Sequence, residues 1–160
     1  MTEKIAILGY NGGLDRTARY EIPTMVNTLK LEIVTPDGIV VSVDAEMVTL
    51  PGAEGQIGIL PQHIPLMSQV VPGEIIVRTG ETNRYLAVGE GLVEITGNAV
   101  SILTDMAVAV ENIDEAKAEE ERQRAEYRLK EKLSAEEVAS VQAALARSMA
   151  EVNVKRQHQK

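Results

Sequence analysis

The sequence contains no cysteine, no phenylalanine and no tryptophan, and these absences limit what the chain can be. Without cysteine there are no disulfides and no thiolate metal sites, which agrees with a reducing compartment such as the cytoplasm. The aromatic residues are four tyrosines, so isoleucine, valine, leucine, methionine and alanine must fill the core. This composition disfavours a surface that stacks on nucleic acid bases.

Negative charge and the lack of a long apolar segment argue against further classes of protein. The net charge of −8 and the pI near 4.8 oppose binding to phosphate backbones, and the one locally basic stretch is the tail Lys155, Arg156 and Lys160. No apolar run approaches the roughly 20 residues that cross a bilayer, and the first residues lack a basic segment followed by a hydrophobic one. We therefore expect no nucleic acid partner, no membrane span and no export signal.

Short β-type runs separated by turn residues occupy residues 28–110. Leu29, Leu31 and Ile33 alternate with polar residues, which is the two-residue period of a half-buried strand. Further strands are predicted at residues 39–43, 46–50, 56–60, 74–78, 84–88, 92–95 and 99–103. Their regular spacing favours an antiparallel β-sandwich or a flattened barrel.

Helical patterns follow, and neither glycine nor proline occurs from Asn112 onward. Asn112 with Glu115 predicts the start of a first helix that continues through Lys132. Ser134 and Glu137 have the spacing of a capping box at the start of a second helix. Because the connection between them is very short, the two helices are expected to fold back as an antiparallel hairpin.

The predicted apolar faces of this hairpin are narrow. In the first helix the face is formed by Ala116, Ala125, Leu129 and Leu133, and in the second by Val138, Val141, Leu145, Met149 and Val152. At about 25 cal/mol per Å² of apolar surface, an alanine-rich seam stabilises a hairpin only slightly beyond its ordering entropy. We expect a mobile element, and the alternative is a static two-helix appendage packed on the sheet.

The chain is thus predicted to have three parts. Residues 1–27 form an N-terminal extension without an assigned function, residues 28–110 the sandwich and residues 111–160 the hairpin. Within the extension, Asn11, Gly12 and Gly13 indicate a turn, although this segment could equally be unstructured.

Catalytic side chains are not evident. The two histidines, His63 and His158, lie in different predicted domains, which gives little support to a metal site or an acid–base pair. The glycines at 52, 55 and 58 precede neither a Gly-Lys-Ser/Thr sequence nor a helix, so they do not form a phosphate-binding loop. We find no nucleophile with a plausible base. His63 is expected to be a structural or interface residue, or a loop histidine without a functional role.

Four stretches together resemble one family. They read LKLEIVTPDGIVVSVDAEMVTLPGAEGQIGILPQHIPL, LAVGEGLVEI, VSILTDMAV and NIDEAKAEEERQRAEYRL, and they fall within residues 28 to about 155. In this order they resemble the epsilon subunit of the F-type ATP synthase. The resemblance implies a β-sandwich of about ten strands followed by a helical hairpin. It also implies a noncatalytic rotor subunit that binds the gamma subunit, couples it to the membrane c-ring and restrains ATP hydrolysis by extending the hairpin into the alpha/beta catalytic head.

The resemblance also suggests which residues meet the rotor partners. Gly55 and Gln56 in the first loop, and His63, Ile64 and Pro65 in the next, would lie near the gamma and c-ring contacts. Relatives often carry an acid where this chain has Gln56. The implied location is the cytoplasmic face of a bacterial membrane, or a plastid thylakoid membrane, with membrane association only through the complex.

In relatives that bind regulatory ATP on the hairpin, a motif of the type Ile/Leu-Asp-x-x-Arg-Ala opens the first helix. Here Ile113, Asp114, Lys117 and Ala118 occupy its positions, and Arg124 and Arg147 resemble further basic residues of the pattern. Two departures from the pattern are Val108 at an acidic position and Glu151 at a basic one. Lys117 keeps a positive charge without the two-pronged donor of arginine. Alternatively, Asp114 caps the helix and Lys117 pairs across one turn.

Two other functions remain open at this point. One is a stand-alone β-sandwich binding module with a helical oligomerisation arm, which would not copurify with a gamma subunit. The other, a small hydrolase, would require a nucleophile–base pair that the sequence does not offer.

Overall fold

The computed structural model of the chain describes residues 27–159. The turn predicted at Asn11 to Gly13 lies outside the described residues, as does Lys160 of the basic tail.

Ten strands form the sheet of the sandwich: β1 Leu29–Thr35, β2 Gly38–Ala45, β3 Met47–Gly52, β4 Gly55–Ile59, β5 Leu66–Val70, β6 Gly73–Thr79, β7 Thr82–Val88, β8 Gly91–Ile95, β9 Ala99–Thr104 and β10 Ala107–Ala109. Their order is β10-β7-β6-β3-β5-β8-β9-β1-β2, and β4 pairs with β3 outside this path. Neighbours are antiparallel except for β1 and β9, which are parallel. A sandwich of ten strands followed by two helices confirms the predicted fold class.

Alternation along the strands builds the core of the sandwich. Leu29, Leu31 and Ile33 of β1 are buried, and Leu31 and Ile33 pair with Val100 and Ile102 of β9, which are also buried. The fully buried residues of this core come from β1 to β9, and no helical residue belongs to it among residues 27–159. The sandwich therefore has a hydrophobic core that does not depend on the hairpin.

The periodicity misses two of the ten strands. In β5, Val70 is the single buried residue and the other side chains lie at least partly in solvent, so the strand has no clear alternation. In β10, three residues are too few to establish a period. Both strands are defined by their pairing with β8 and β7, which a local pattern does not encode.

A 3₁₀ turn at Val110–Asn112 precedes the two helices, α1 (Glu115–Arg128) and α2 (Ala135–Gln157). The prediction that Asn112 caps α1 is wrong, because Asn112 lies in the 3₁₀ turn. Asp114 is the cap, and its carboxylate accepts a hydrogen bond from the Lys117 backbone nitrogen at 3.2 Å. α1 also ends four residues before the predicted Lys132, since the chain must reverse direction before the cap of α2.

The capping box of α2 is confirmed. Ser134 Oγ accepts a hydrogen bond from the Glu137 backbone nitrogen at 3.3 Å, and Glu137 Oε2 accepts one from the Ser134 backbone nitrogen at 2.9 Å. The Ser134 contacts lower the pKa of the Glu137 carboxyl, because they stabilise its charged form.

The predicted helix faces are only partly correct. Val141 and Val152 are buried, but Met149 is 43% exposed, and Ser148, Ala150 and Val154 are buried instead. The reason is that α2 packs against α1 on one side and against β6 and β7 on another, so it buries two faces and not one stripe. In α1, Ala116 is exposed, and Ala118 and Ala125 form the buried seam.

Candidate functional site

The hairpin docks on the outer face of the sandwich through a small apolar cluster of its own. Ala87 of β7, Ile113 before α1 and Val154 of α2 are buried together. Three half-buried side chains complete this docking cluster: Met106, Val108 and Val110. The docking cluster is separate from the sandwich core, so the hairpin and the sandwich meet across a modest apolar contact.

Polar contacts support the docking at two further points. Arg147 Nη1 of α2 donates to Asp105 Oδ2 of the β9–β10 connection at 2.7 Å, and Lys155 Nζ donates to the Val110 carbonyl at 2.9 Å. Arg156 of α2 reaches α1, where its Nε donates to Glu115 Oε1 at 2.8 Å. Of the basic tail, Lys155 and Arg156 therefore both have hydrogen-bond partners within the chain, and Arg156 is also exposed to solvent.

A cleft of about 440 Å³ opens where α1, α2 and the β9–β10 connection meet. Its lining residues are Asp105, Met106, Glu121, Arg124, Ala125, Arg128, Ser140, Val141, Ala144, Arg147 and Glu151. Three arginines and three carboxylates thus face one space, and a volume of this size lies within the range of about 300–1,000 Å³ typical of small-ligand sites.

The charges of the cleft are not equivalent. Arg147 is already paired with Asp105, and Arg124 Nη2 donates to Glu120 Oε1 at 3.1 Å in an exposed contact. Burial raises the pKa of the Glu151 carboxyl, and the nearby Glu121 raises it further, while Lys117 and Arg147 oppose the rise. Glu151 therefore takes up a proton more readily than an ordinary, fully solvated glutamate does.

The residues that the resemblance assigned to ATP binding divide into two groups in the structure. Arg124 and Arg147 line the cleft together, although 23 positions separate them in the sequence. Ile113 is 4% exposed within the docking cluster, and Ala118 is 2% exposed in the seam between the helices. Both side chains are therefore buried in packing contacts.

Asp114 and Lys117 stand at the first turn of α1. Asp114 caps the helix, as the alternative interpretation held, and Lys117 is exposed but close enough to Glu151 to lower its pKa. Sequence reasoning missed Arg128, which lines the cleft beside Arg124. The four-residue spacing of these two arginines places them on one helix face and could have identified Arg128.

The residues predicted to meet rotor partners lie at the two ends of β4. Gly55, with φ of 126°, and Gln56 begin the strand at the tight β3–β4 hairpin, where both are exposed. His63, Ile64 and Pro65 follow its other end. Four residue steps at about 3.4 Å each place the two ends roughly 14 Å apart.

The second of these segments is fixed to a neighbouring turn. Gln62 adopts a left-handed backbone with φ of 66°, and its nitrogen donates to the Gly97 carbonyl at 2.6 Å. The His63 ring nitrogen Nδ1 lies 2.7 Å from the Ile64 carbonyl, so His63 has a local structural contact. Ile64 itself is 75% exposed. The loop therefore presents an apolar side chain on an ordered backbone.

Two classes of site are absent from the part of the chain that the structure describes. Across residues 27–159, no three histidine or acidic side chains are grouped as metal ligands would be. Over the same residues, neither helix is both long and apolar enough to cross a membrane.

Comparison with known proteins assigns the chain to a family. The family model "ATP synthase, Delta/Epsilon chain, beta-sandwich domain" matches residues 28–110, and the model of the corresponding long alpha-helix domain matches residues 111–156. The ATP synthase epsilon chain of Syntrophobacter fumaroxidans is 41% identical over 81% of this chain and 97% of its own length. That of Herpetosiphon aurantiacus is 39% identical over 79% of this chain and 93% of its own length.

The fold is also found in solved structures. A chain of the Euglena gracilis mitochondrial ATP synthase (OSCP/F1/c-ring) superposes with a TM-score of 0.65 at 21% identity, and 88% of each chain is covered. A chain of the Tetrahymena thermophila mitochondrial ATP synthase central stalk/c-ring gives a TM-score of 0.56 at 14% identity, over 82% of this chain and 96% of the other. The sandwich, the hairpin and the two family models agree, and the chain belongs to the ATP synthase epsilon-chain family, whose members are noncatalytic subunits of the complex.

Proposed function

We propose that this chain is a central-stalk subunit that couples rotation of the c-ring to ATP synthesis and brakes ATP hydrolysis through its hairpin. In this proposal the sandwich binds gamma and the c-ring, and the hairpin extends along gamma into the alpha/beta head. The complex places the chain at the cytoplasmic face of a bacterial membrane; a plastid thylakoid membrane is the alternative. Family membership and the fold shared with chains of ATP synthase assemblies support this role.

The separate docking of the hairpin is the observation that carries the braking role. The sandwich core contains no helical residue among residues 27–159, and the docking cluster has three buried members, Ala87, Ile113 and Val154. A hairpin held by so few apolar contacts can leave the sandwich without unfolding it. Two hairpin positions of similar free energy are what a reversible brake requires.

Exposed apolar side chains around β4 and β5 support a rotor contact. Leu60, Ile64 and Met67 are 56%, 75% and 68% exposed, and they lie in or next to the loop that contains His63 and Pro65. Grouped apolar residues on a surface commonly mark a protein interface. We assign this loop to a contact with gamma or the c-ring, and Gly55 and Gln56 at the other end of β4 to a second contact.

Regulatory ATP is proposed to bind in the cleft between the hairpin and the sandwich. Arg124 and Arg147, with Arg128 beside them, offer guanidinium groups that suit phosphate oxygens. Ile113, Asp114, Lys117 and Ala118 would shape the adjoining helix end. Glu121 and Glu151 oppose an anion in the same space, so binding should strengthen when Glu151 is neutral.

The first experiment measures ATP hydrolysis by a purified catalytic head containing gamma. Full-length chain and chain truncated after Val110 are added in parallel, because the sandwich core is complete without the helices. We expect the full-length chain to inhibit and the truncated chain to bind gamma without inhibiting. If both bind gamma and neither inhibits, the brake is refuted and the coupling role stands. If neither binds gamma, the rotor role is refuted.

A second experiment tests ATP in the cleft by calorimetry on the isolated full-length chain. Arg124→Ala combined with Arg147→Ala is expected to abolish binding, whereas Arg84→Ala removes an exposed arginine of β7 outside the cleft and should bind as the unmodified chain does. Equal binding by all three proteins would refute the site.

The stand-alone binding module with a helical oligomerisation arm predicts a different result. It requires self-association through α1 and α2, which light scattering would detect, and no copurification with gamma.

A further inference from the structure

One acid of the cleft, Glu151, is half-buried and has no ion-pair partner. It lies on α2, one turn after Arg147, and lines the same space as Arg124 and Arg128 of α1. Among residues 27–159, no cationic side chain forms an ion pair with its carboxylate. The other two acids of the cleft differ from it, because Asp105 is paired with Arg147 and Glu121 is exposed.

The surroundings of Glu151 make its carboxylate easier to protonate than one in water. Burial raises the pKa of the carboxyl, Glu121 raises it further, and Lys117 and Arg147 act in the opposite direction. Other charged or titratable groups on the packed elements are Asp105, Arg124 and Arg128 in the cleft, Lys155 one turn along α2, Glu111 in the 3₁₀ turn, Glu115 at the start of α1, and Glu74, Tyr85 and His158 where α2 ends on β6 and β7.

An anion that enters the cleft comes within range of this carboxylate. A sphere of about 440 Å³ is roughly 9 Å across, which is close to the Debye length of about 8 Å at physiological ionic strength. Salt therefore leaves much of the repulsion between Glu151 and a bound phosphate group unscreened. The arginines that attract the anion lie in the same cleft, so the anion cannot reach them without meeting Glu151.

We propose that ATP enters the cleft with uptake of a proton from solution, and that the Glu151 carboxylate is the group that takes it up. No bond of the ATP breaks. The proton adds to a carboxylate oxygen, which removes the negative charge at that position, and the guanidinium groups remain available to the phosphates. This inference rests on the proposed binding of ATP in the cleft and adds a proton to that equilibrium.

The coupling acts in both directions. Protonation of Glu151 strengthens ATP binding by the same factor by which bound ATP favours the protonation. Charge pairs at partly exposed positions change an equilibrium by roughly two- to fivefold. ATP should therefore bind about two- to fivefold more tightly when Glu151 is neutral than when it is ionised.

Glu151→Gln fixes the neutral form without a large change of shape. At about pH 8, where Glu151 of the free chain is ionised, this variant should bind ATP about two- to fivefold more tightly than the unmodified chain. The advantage should shrink toward about pH 5.5, because bound ATP then drives protonation of Glu151 in the unmodified chain.

Calorimetry with ATP on the isolated full-length chain, in the absence of divalent cations, tests the coupling. Each titration is repeated in two buffers of different ionisation enthalpy, since the difference in heat gives the number of protons exchanged on binding. The same titrations of Glu151→Gln account for protons exchanged by ATP itself. Near pH 5.5 we expect the unmodified chain to take up more protons per ATP bound than the variant does.

Glu81→Gln is the matched control. It makes the same change of net charge at an exposed residue between β6 and β7, outside the cleft. This variant should match the unmodified chain in ATP affinity and in proton uptake at both pH values. If Glu81→Gln strengthens binding as much as Glu151→Gln does, the effect belongs to the net charge of the chain and the coupling is overturned.

The outcomes separate the coupling from the ATP site itself. If the unmodified chain and Glu151→Gln bind ATP equally at both pH values, the coupling is overturned and the site stands. An advantage of Glu151→Gln that is the same at both pH values, with equal proton uptake, shows repulsion without protonation and also overturns the coupling. If neither protein binds ATP at either pH, the proposed site is refuted and the coupling with it.

Discussion

Replacing Val154 by alanine should release the hairpin without unfolding the sandwich. Val154 is 3% exposed and is one of three buried members of the docking cluster, with Ala87 and Ile113. The change removes two methyl groups from a buried position. Each buried group contributes about 0.8 kcal/mol, and the cavity adds a further cost. The free energy that favours the docked over the released hairpin should therefore fall by about 2 kcal/mol.

Native-state hydrogen exchange measures this loss locally. A change of about 2 kcal/mol corresponds to roughly 30-fold faster opening-limited exchange, since about 1.4 kcal/mol is a factor of ten. We expect this acceleration in the amides of α2, with unchanged protection in β1 and β9. The expectation follows from the separate cores, because Val154 has no part in the cluster that holds the strands together.

Val100→Ala is the matched control. It makes the same chemical change at a residue of β9 that is 1% exposed within the sandwich core. This variant should lower the protection of β1 and β9, and also that of α2, which needs the sandwich as its docking surface. If Val154→Ala lowers protection in β1 and β9 as much as in α2, the hairpin and the sandwich unfold as one unit and the reasoning is refuted.

Three further changes should have distinct signatures. The folded chain raises the pKa of the Glu151 carboxyl. The contribution of Glu151 to the free energy of unfolding is therefore present below about pH 4 and is lost as the pH rises through the raised pKa. Glu151→Gln should thus raise the melting temperature at neutral pH and leave it unchanged at or below about pH 4. Ser134→Ala removes the cap of α2 and should cost about 1 kcal/mol in chemical denaturation, whereas equal stability would contradict the capping contacts with Glu137. A β-carbon on Gly91 would lie 2.0 Å from the Leu103 carbonyl oxygen, so Gly91→Ala should destabilise the sandwich by about 1–3 kcal/mol, and an unchanged melting curve would refute the close approach.

Helix ends show how far local sequence can predict this fold. The Ser134–Glu137 capping box lies where its spacing indicated, because every group it needs falls within four consecutive residues. At the start of α1 two caps were possible, Asn112 and Asp114. The 3₁₀ turn that leads out of β10 includes Asn112 and leaves Asp114 as the cap.

The candidate site was predictable only in part. Arg124 and Arg147 were identified through the family resemblance, and the structure brings them into one cleft. The position of His158 could not be derived, since a histidine near the end of a chain has no local signal for contact with Tyr85 and Glu74. Gly55 and His63, which the resemblance assigned to rotor contacts in two successive loops, lie toward opposite ends of β4.

The sequence by itself determined the class of the protein. Alternating apolar residues require strands, a segment free of glycine and proline permits long helices, and the capping box sets where α2 begins; each effect acts over a few neighbouring residues. The tertiary structure decided what those elements do together. Docking of α2 against both α1 and the sheet selected Val154 over Met149 for burial, created the cleft and brought His158 to Glu74, because these contacts join residues that only the packed chain brings together.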